Sequence, residues 1–206
     1  MFITFEGIDL SGKSTQAKLL YNYLKKRGRN VILVREPGGT KISEKIRDIL
    51  LDKNHSGMFS LTEFLLFSAS RQQLTEEVIK PHLRKGYFVI CDRYYDSSTA
   101  YQGYGGQVEL KTILGINKTA AGGLSPDLTF FIDIDMKESA ARRKAAGKSK
   151  DRMEQKKLNY FNKVIGGYRE LASKEKRRFR RIDGRKPVGE IQEEILNIIR
   201  KRVKNA

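Results

Sequence analysis

The chain has 206 residues, with 41 Lys and Arg against 24 Asp and Glu, a formal net charge of +17. Its 39% hydrophobic content excludes a disordered chain, the absence of any run near ~18–20 apolar residues excludes a membrane helix, and the lone Cys91 excludes an intramolecular disulfide or a multi-cysteine metal site. The basic balance asks for an anionic partner (nucleotide, nucleic acid or membrane surface), and the N-terminal apolar run is too short for a signal peptide, so a cytoplasmic protein is expected.

Strands and helices alternate along the chain. The run 2–5 predicts a short strand ending in a glycine-rich loop. From Ser14 the spacing of Ala17, Leu20, Tyr21 and Leu24 predicts a helix, closed by Gly28. The aliphatic run 31–34 predicts a strand buried on both faces. Beyond a break at 35–39, Ile42, Ile46, Ile49 and Leu50 mark a second helix, and a longer one is expected over about 61–83, kinked at Pro81. The runs 87–91 and 128–132 predict two more strands. A helix from about Lys137 dissolves over 145–150, and helical pattern resumes near Asp151. The run 179–182 predicts the last strand, and Val188, Ile191, Ile195, Ile198, Ile199 and Val203 stripe a final amphipathic helix. Five strands separated by helices predict an α/β three-layer fold: a five-stranded parallel sheet with helices on both faces, in one domain over 1–206.

Residues 137–186 hold 19 basic and 6 acidic residues. Such a run is commonly a solvated helical face. The glycine-bearing break at 145–150 makes a mobile basic lid over about 142–154 the rival reading.

Gly7, Ile8, Asp9, Leu10, Ser11, Gly12, Lys13 and Ser14 fit the G-x-x-x-x-G-K-[ST] phosphate loop, between an expected strand and an expected helix. The glycines let backbone N–H groups turn towards phosphate oxygens, and the helix dipole faces the same anion. Lys13 is placed to reach the β- and γ-phosphates of a nucleotide and Ser14 to hold Mg²⁺; Thr15 extends the loop. Nucleotide switches and kinases both use this loop. The strand ends at 6–14, 35–40 and 92–101 carry the other clusters and should converge on one crevice. There Arg93 is the candidate fork for an acceptor phosphate, and Asp92 is placed to orient Mg²⁺ through water. Phe67 and Arg71, four apart on an expected helix, could stack on a nucleobase and bond its edge; on periodicity alone, ordinary core and ordinary surface is the better reading.

FEGIDLSGKST (5–15), REPGGT (35–40), LLFSASR (65–71), DRYYDSSTAYQG (92–103) and DRME (151–154) fall in the order and approximate spacing of the thymidylate kinase (dTMP kinase) family, which the chain resembles over essentially its whole length. The resemblance implies transfer of the ATP γ-phosphate to dTMP with Mg²⁺, in dTTP biosynthesis. It implies that Phe67 stacks on thymine and Arg71 bonds its edge, that Asp9 meets the 3′-hydroxyl, and that Arg93 grips the acceptor phosphate. Ser97, Ser98, Tyr101 and Gln102 would line the dTMP pocket, and Glu36 and Glu154 would place the acceptor phosphate or the Mg²⁺ waters. A homodimer is implied as well. Where some members of the family carry a catalytic arginine inside the phosphate loop, this chain has Leu10. The charge is then expected from the lid, which holds Arg142, Arg143, Lys144, Lys148, Lys150 and Arg152; the order of preference is Arg152, Arg143, Arg142.

A deoxynucleoside kinase is the nearest competitor, although it would not need an arginine for an acceptor phosphate. A nucleic-acid-binding ATPase is suggested only by the charge, without a helix-turn-helix, a zinc signature or an aromatic platform, so no nucleic-acid or membrane partner is expected.

Overall fold

The computed structural model describes residues 1–147, 149 and 151–204, with the backbone alone at 203 and 204. Lys148 and Lys150 of the expected lid, and the side chain of Val203, therefore lie outside the described residues. The five expected strands form as β1 (Phe2–Glu6), β2 (Val31–Arg35), β3 (Phe88–Asp92), β4 (Leu128–Asp133) and β5 (Phe179–Asp183). All pair in parallel, in the order β2-β3-β1-β4-β5.

Alternation along the strands sorts side chains between two layers. Ile3, Phe5, Ile90, Phe130 and Ile132 pack with Leu20 of α1 (Lys13–Lys26) and Ile195 and Ile199 of α9 (Val188–Lys204). Phe131 packs on the other side with Val164 and Tyr168 of α8 (Leu158–Lys174), and Phe2, Val89 and Cys91 pack with Leu74 of α3 (Ser60–Leu74). The expected three layers are present.

Several local expectations are revised. The strand at 31–34 is not buried on both faces. It forms the sheet edge, and Leu33 is 37% exposed. In α2 (Lys41–Leu51), Ile42 and Ile49 face outward while Ser43 and Leu50 are buried. The long helix loosens into a π turn at Thr75–Ile79, and Pro81 sits near the start of α4 (Lys80–Arg84), where its missing N–H costs least. Four elements had no expectation: the 3₁₀ turn Lys53–His55, α5 (Tyr95–Ser98), the π turn Thr99–Gly105 that follows it, and α6 (Leu110–Ala120). Helix α7 (Met136–Ala146) ends at Gly147 in a left-handed cap, and a 3₁₀ turn, Met153–Gln155, precedes α8.

Candidate active site

The carboxyl ends of β1, β3 and β4 sit side by side, and the phosphate loop leaves β1 there. Gly7 (φ 139°) can be nothing else: a Cβ would lie 2.6 Å from the carbonyl oxygen of Ile132. Leu10 takes φ 64° with a full side chain, a strained conformation close to the reacting groups. Helix α1 starts at Lys13, directing its free N–H groups towards the loop.

Lys13 is buried, and its ammonium lies 3.6 Å from Asp9 Oδ1. Burial, and then Arg93, pull the lysine pKa down. Burial alone would raise the Asp9 carboxyl, but Arg93 and Lys13 overcome it and hold the group well below the usual carboxylate range. Arg93 donates to Asp9 Oδ1 and to the Gly7 carbonyl, each at 2.7 Å. Its backbone stands at φ 71°, and its guanidinium lies 5.2 Å from the Tyr101 ring centre.

Ser14 donates to Asp92 Oδ2, while Asp92 Oδ1 is buried without a partner. A hydroxyl beside an unsatisfied carboxylate oxygen suits Mg²⁺, which keeps waters and takes its remaining ligands from substrate phosphates.

Three cavities share Asp9, the third walled by Ile8 and Arg143. The first is lined by Asp9, Glu36, Phe67, Arg93, Ser97 and Ser98, and further by Tyr101 and Gln102. Eight expected substrate residues are thereby gathered from four stretches of chain. The second runs along residues 9–16 and is closed by Arg142, Glu154 and the Gly184 to Val188 loop.

Three expected residues stand elsewhere. Arg71 does not line the first cavity. It is fully buried behind it, donating to Asn117 (2.6 Å), Ser98 (2.7 Å) and Glu36, with Nε unpartnered. Glu154 turns to the second cavity and accepts two bonds from Arg143, at 2.6 and 3.1 Å. Arg152, first in the expected order of charge donors, is not brought to the phosphate loop. It is 5% exposed, pairs with buried Glu63 at 2.7 Å and donates to the Leu50 carbonyl. Arg142 reaches the loop, but its guanidinium is occupied by the carbonyls of Leu10, Ser11 and Gly184. Arg143, half-buried and sharing a cavity wall with Ile8 and Asp9, is the lid arginine left facing the reacting region.

Sequence reasoning passed over four polar residues here. Glu6 is fully buried and accepts from the Tyr94 N–H (2.7 Å), Ser97 (2.6 Å) and Tyr168 (3.0 Å); burial, then Asp96, push its pKa up to about 8. Asn117 holds Arg71, Arg47 lines the first cavity, and Glu63 anchors Arg152. Glu6 lies inside the recognised phosphate-loop stretch and could have been read from it. No local pattern announces Arg47, Asn117 or Glu63.

The thymidylate kinase family model matches residues 5–195. A thymidylate kinase of Thermosipho africanus is 47% identical over the full length of both chains, and one of a Roseiflexus species is 44% identical over 97% of this chain and 93% of its own. The crystal structure of thymidylate kinase from Ehrlichia chaffeensis superposes with a TM-score of 0.79 at 35% identity, covering 97% of this chain and 98% of that one. A family model over most of the chain, full-length relatives above 40% identity and a solved structure of the same fold agree: the chain belongs to the thymidylate kinase family.

Proposed function

We propose that the chain transfers the γ-phosphate of ATP to dTMP, with ATP in the cavity along the phosphate loop and dTMP in the cavity beside Phe67. The observation that carries this reading is the meeting of the acceptor-side and phosphate-loop cavities at Asp9, whose Oδ1 is contacted by both Lys13 and Arg93. A donor and an acceptor phosphate can meet there in line, which supplies the proximity that phosphoryl transfer needs.

Lys13 neutralises charge on the transferring group. Arg93 exchanges part of its hold on Asp9 for the acceptor phosphate, and Arg47 adds a second cation on that side. Phe67 stacks on the base, with Ser98 and Gln102 offering polar contacts. Arg71 supports recognition from behind, by fixing Ser98 and Glu36. Asp9, held ionised, meets the sugar, and the Tyr101 ring closes the space beside it. Ser14, and Asp92 through water, would hold Mg²⁺, which would supply positive charge to the ATP phosphates.

An acceptor panel tests this reading. dTMP is expected to be the best substrate, dUMP to be weaker by the ~1–3 kcal/mol of one missing methyl, and UMP weaker still. Equal efficiency with AMP or CMP would contradict it.

We also propose a homodimer formed through α2, α3 and α6. Ile42 and Ile49, Phe59 beside α3, Leu61 and Leu65, and Leu114 are all more than 40% exposed on these neighbouring elements. A second copy is the partner that would cover them, giving a family-typical assembly. Sedimentation at micromolar concentration is expected to return twice the chain mass of 23.6 kDa; a single-chain mass would refute it. Among the described residues no helix is long and apolar enough to cross a membrane.

A further inference from the structure

We propose that Glu63 is a positioning residue for phosphoryl transfer: from behind the acceptor cavity it seats the turn that carries Glu154, and through Glu154 it sets Arg143. The inference rests on reading that cavity as the dTMP site.

Glu63 lies in the first turn of α3 with no exposed surface. Its carboxylate receives Arg152 at 2.7 Å, Lys156 at 3.2 Å and the side-chain amide of Gln102 at 2.9 Å. Gln102 itself lines the acceptor cavity, and so do Asp151 and Met153 on either side of Arg152. The turn therefore has the cavity in front of it and Glu63 behind it. At its far end, Glu154 accepts the Asp151 N–H at 3.0 Å and grips Arg143 with two bonds.

Packing alone does not call for this arrangement. Well-packed apolar side chains in place of the whole cluster would fill the space about as stably as the buried ions do. The cluster supplies one seated position. Arg152 and Lys156 repel each other, and the shared carboxylate reverses that sign and fixes both. Without its charge the turn loses its rear hold, and the Glu154–Arg143 pair moves with it. Affinity for dTMP comes chiefly from Phe67, Ser98 and Arg93, which Glu63 does not touch, and a glutamine at 63 keeps an oxygen for the Gln102 amide. Loss of turnover without loss of acceptor binding is therefore the signature.

The test is Glu63→Gln, which keeps the shape and the contact with Gln102. Turnover, dTMP affinity by calorimetry, and amide exchange over 140–147 and 151–155 are measured on the full chain. Turnover is expected to fall at least tenfold and exchange in both segments to rise at least tenfold. The dissociation constant should stay within threefold of the original, β1 and β4 should stay protected, and Glu63→Asp should recover part of the loss. Unchanged turnover, unchanged exchange, or a turnover loss that only tracks lost dTMP affinity would overturn the proposal. If Glu63→Gln does not fold, Arg152→Lys gives the same readout: it keeps the charge but lacks the fork that reaches Leu50 and Glu63 together. Failure of the unaltered enzyme to bind dTMP would instead overturn the cavity assignment, and this inference with it.

Discussion

Lys13→Ala is expected to lower turnover by roughly 10²–10³ while leaving the fold intact, because removing one electrostatic contact at a transferring group has about that effect. The fold should survive for a stated reason. Lys13 is a buried ammonium whose pKa is pulled down by burial and by Arg93, so in the unliganded protein its charge is not a stabilising asset. Asp9 keeps Arg93 as a partner at 2.7 Å when the lysine is gone. Steady-state kinetics on the purified variant, with thermal unfolding alongside, separate the two effects. Turnover equal to that of the unaltered enzyme would remove Lys13 from the chemistry.

Arg143→Ala is expected to lower turnover on the order of 10³, the lower range for a charge-stabilising arginine in phosphate-loop enzymes, with little change in the Michaelis constant for dTMP. Leu10 has no donor to offer, Arg142 is occupied by loop carbonyls, and Arg152 is occupied by Glu63. Among the described residues Arg143 is held by Glu154, in a half-buried pair at a cavity wall that can be exchanged for a phosphate. Arg152→Ala should behave differently. It leaves Glu63 buried with only Lys156 as a cationic partner, and breaking such a pair typically costs about 3–5 kcal/mol of stability. Unfolding measurements on both variants distinguish a chemical role from a structural one. If Arg143→Ala turns over normally, the transition-state charge is met from another residue of the lid.

The strands were legible because short runs of aromatic and aliphatic residues bounded by loop residues leave few alternatives, and the phosphate loop because its glycines and Lys13 sit between a strand and a helix. Sheet order was not legible, and for that reason 31–34 reads as a central strand when it lies at the edge. The stripe of isoleucines in α2 has helical spacing but points outward; spacing defines a face and does not say what covers it. In the site, Phe67 and Arg71 do share a helix face, yet only Phe67 lines the cavity, because Glu36, Ser98 and Asn117 draw the guanidinium inward. The same limit applies to Arg152: a basic segment reads as one electrostatic unit, and only the fold brings Glu63 against one member of it.

The central claim is that Phe67 belongs to the acceptor cavity and the phosphate loop to the donor, and the Michaelis constants of Phe67→Ala for the two substrates test it most directly. Loss of a ring stacked on a base costs about 1–3 kcal/mol, so the constant for dTMP should rise roughly 5- to 150-fold while that for ATP stays within about twofold. A rise in the ATP constant with the dTMP constant unchanged would show that the two substrates occupy the opposite cavities.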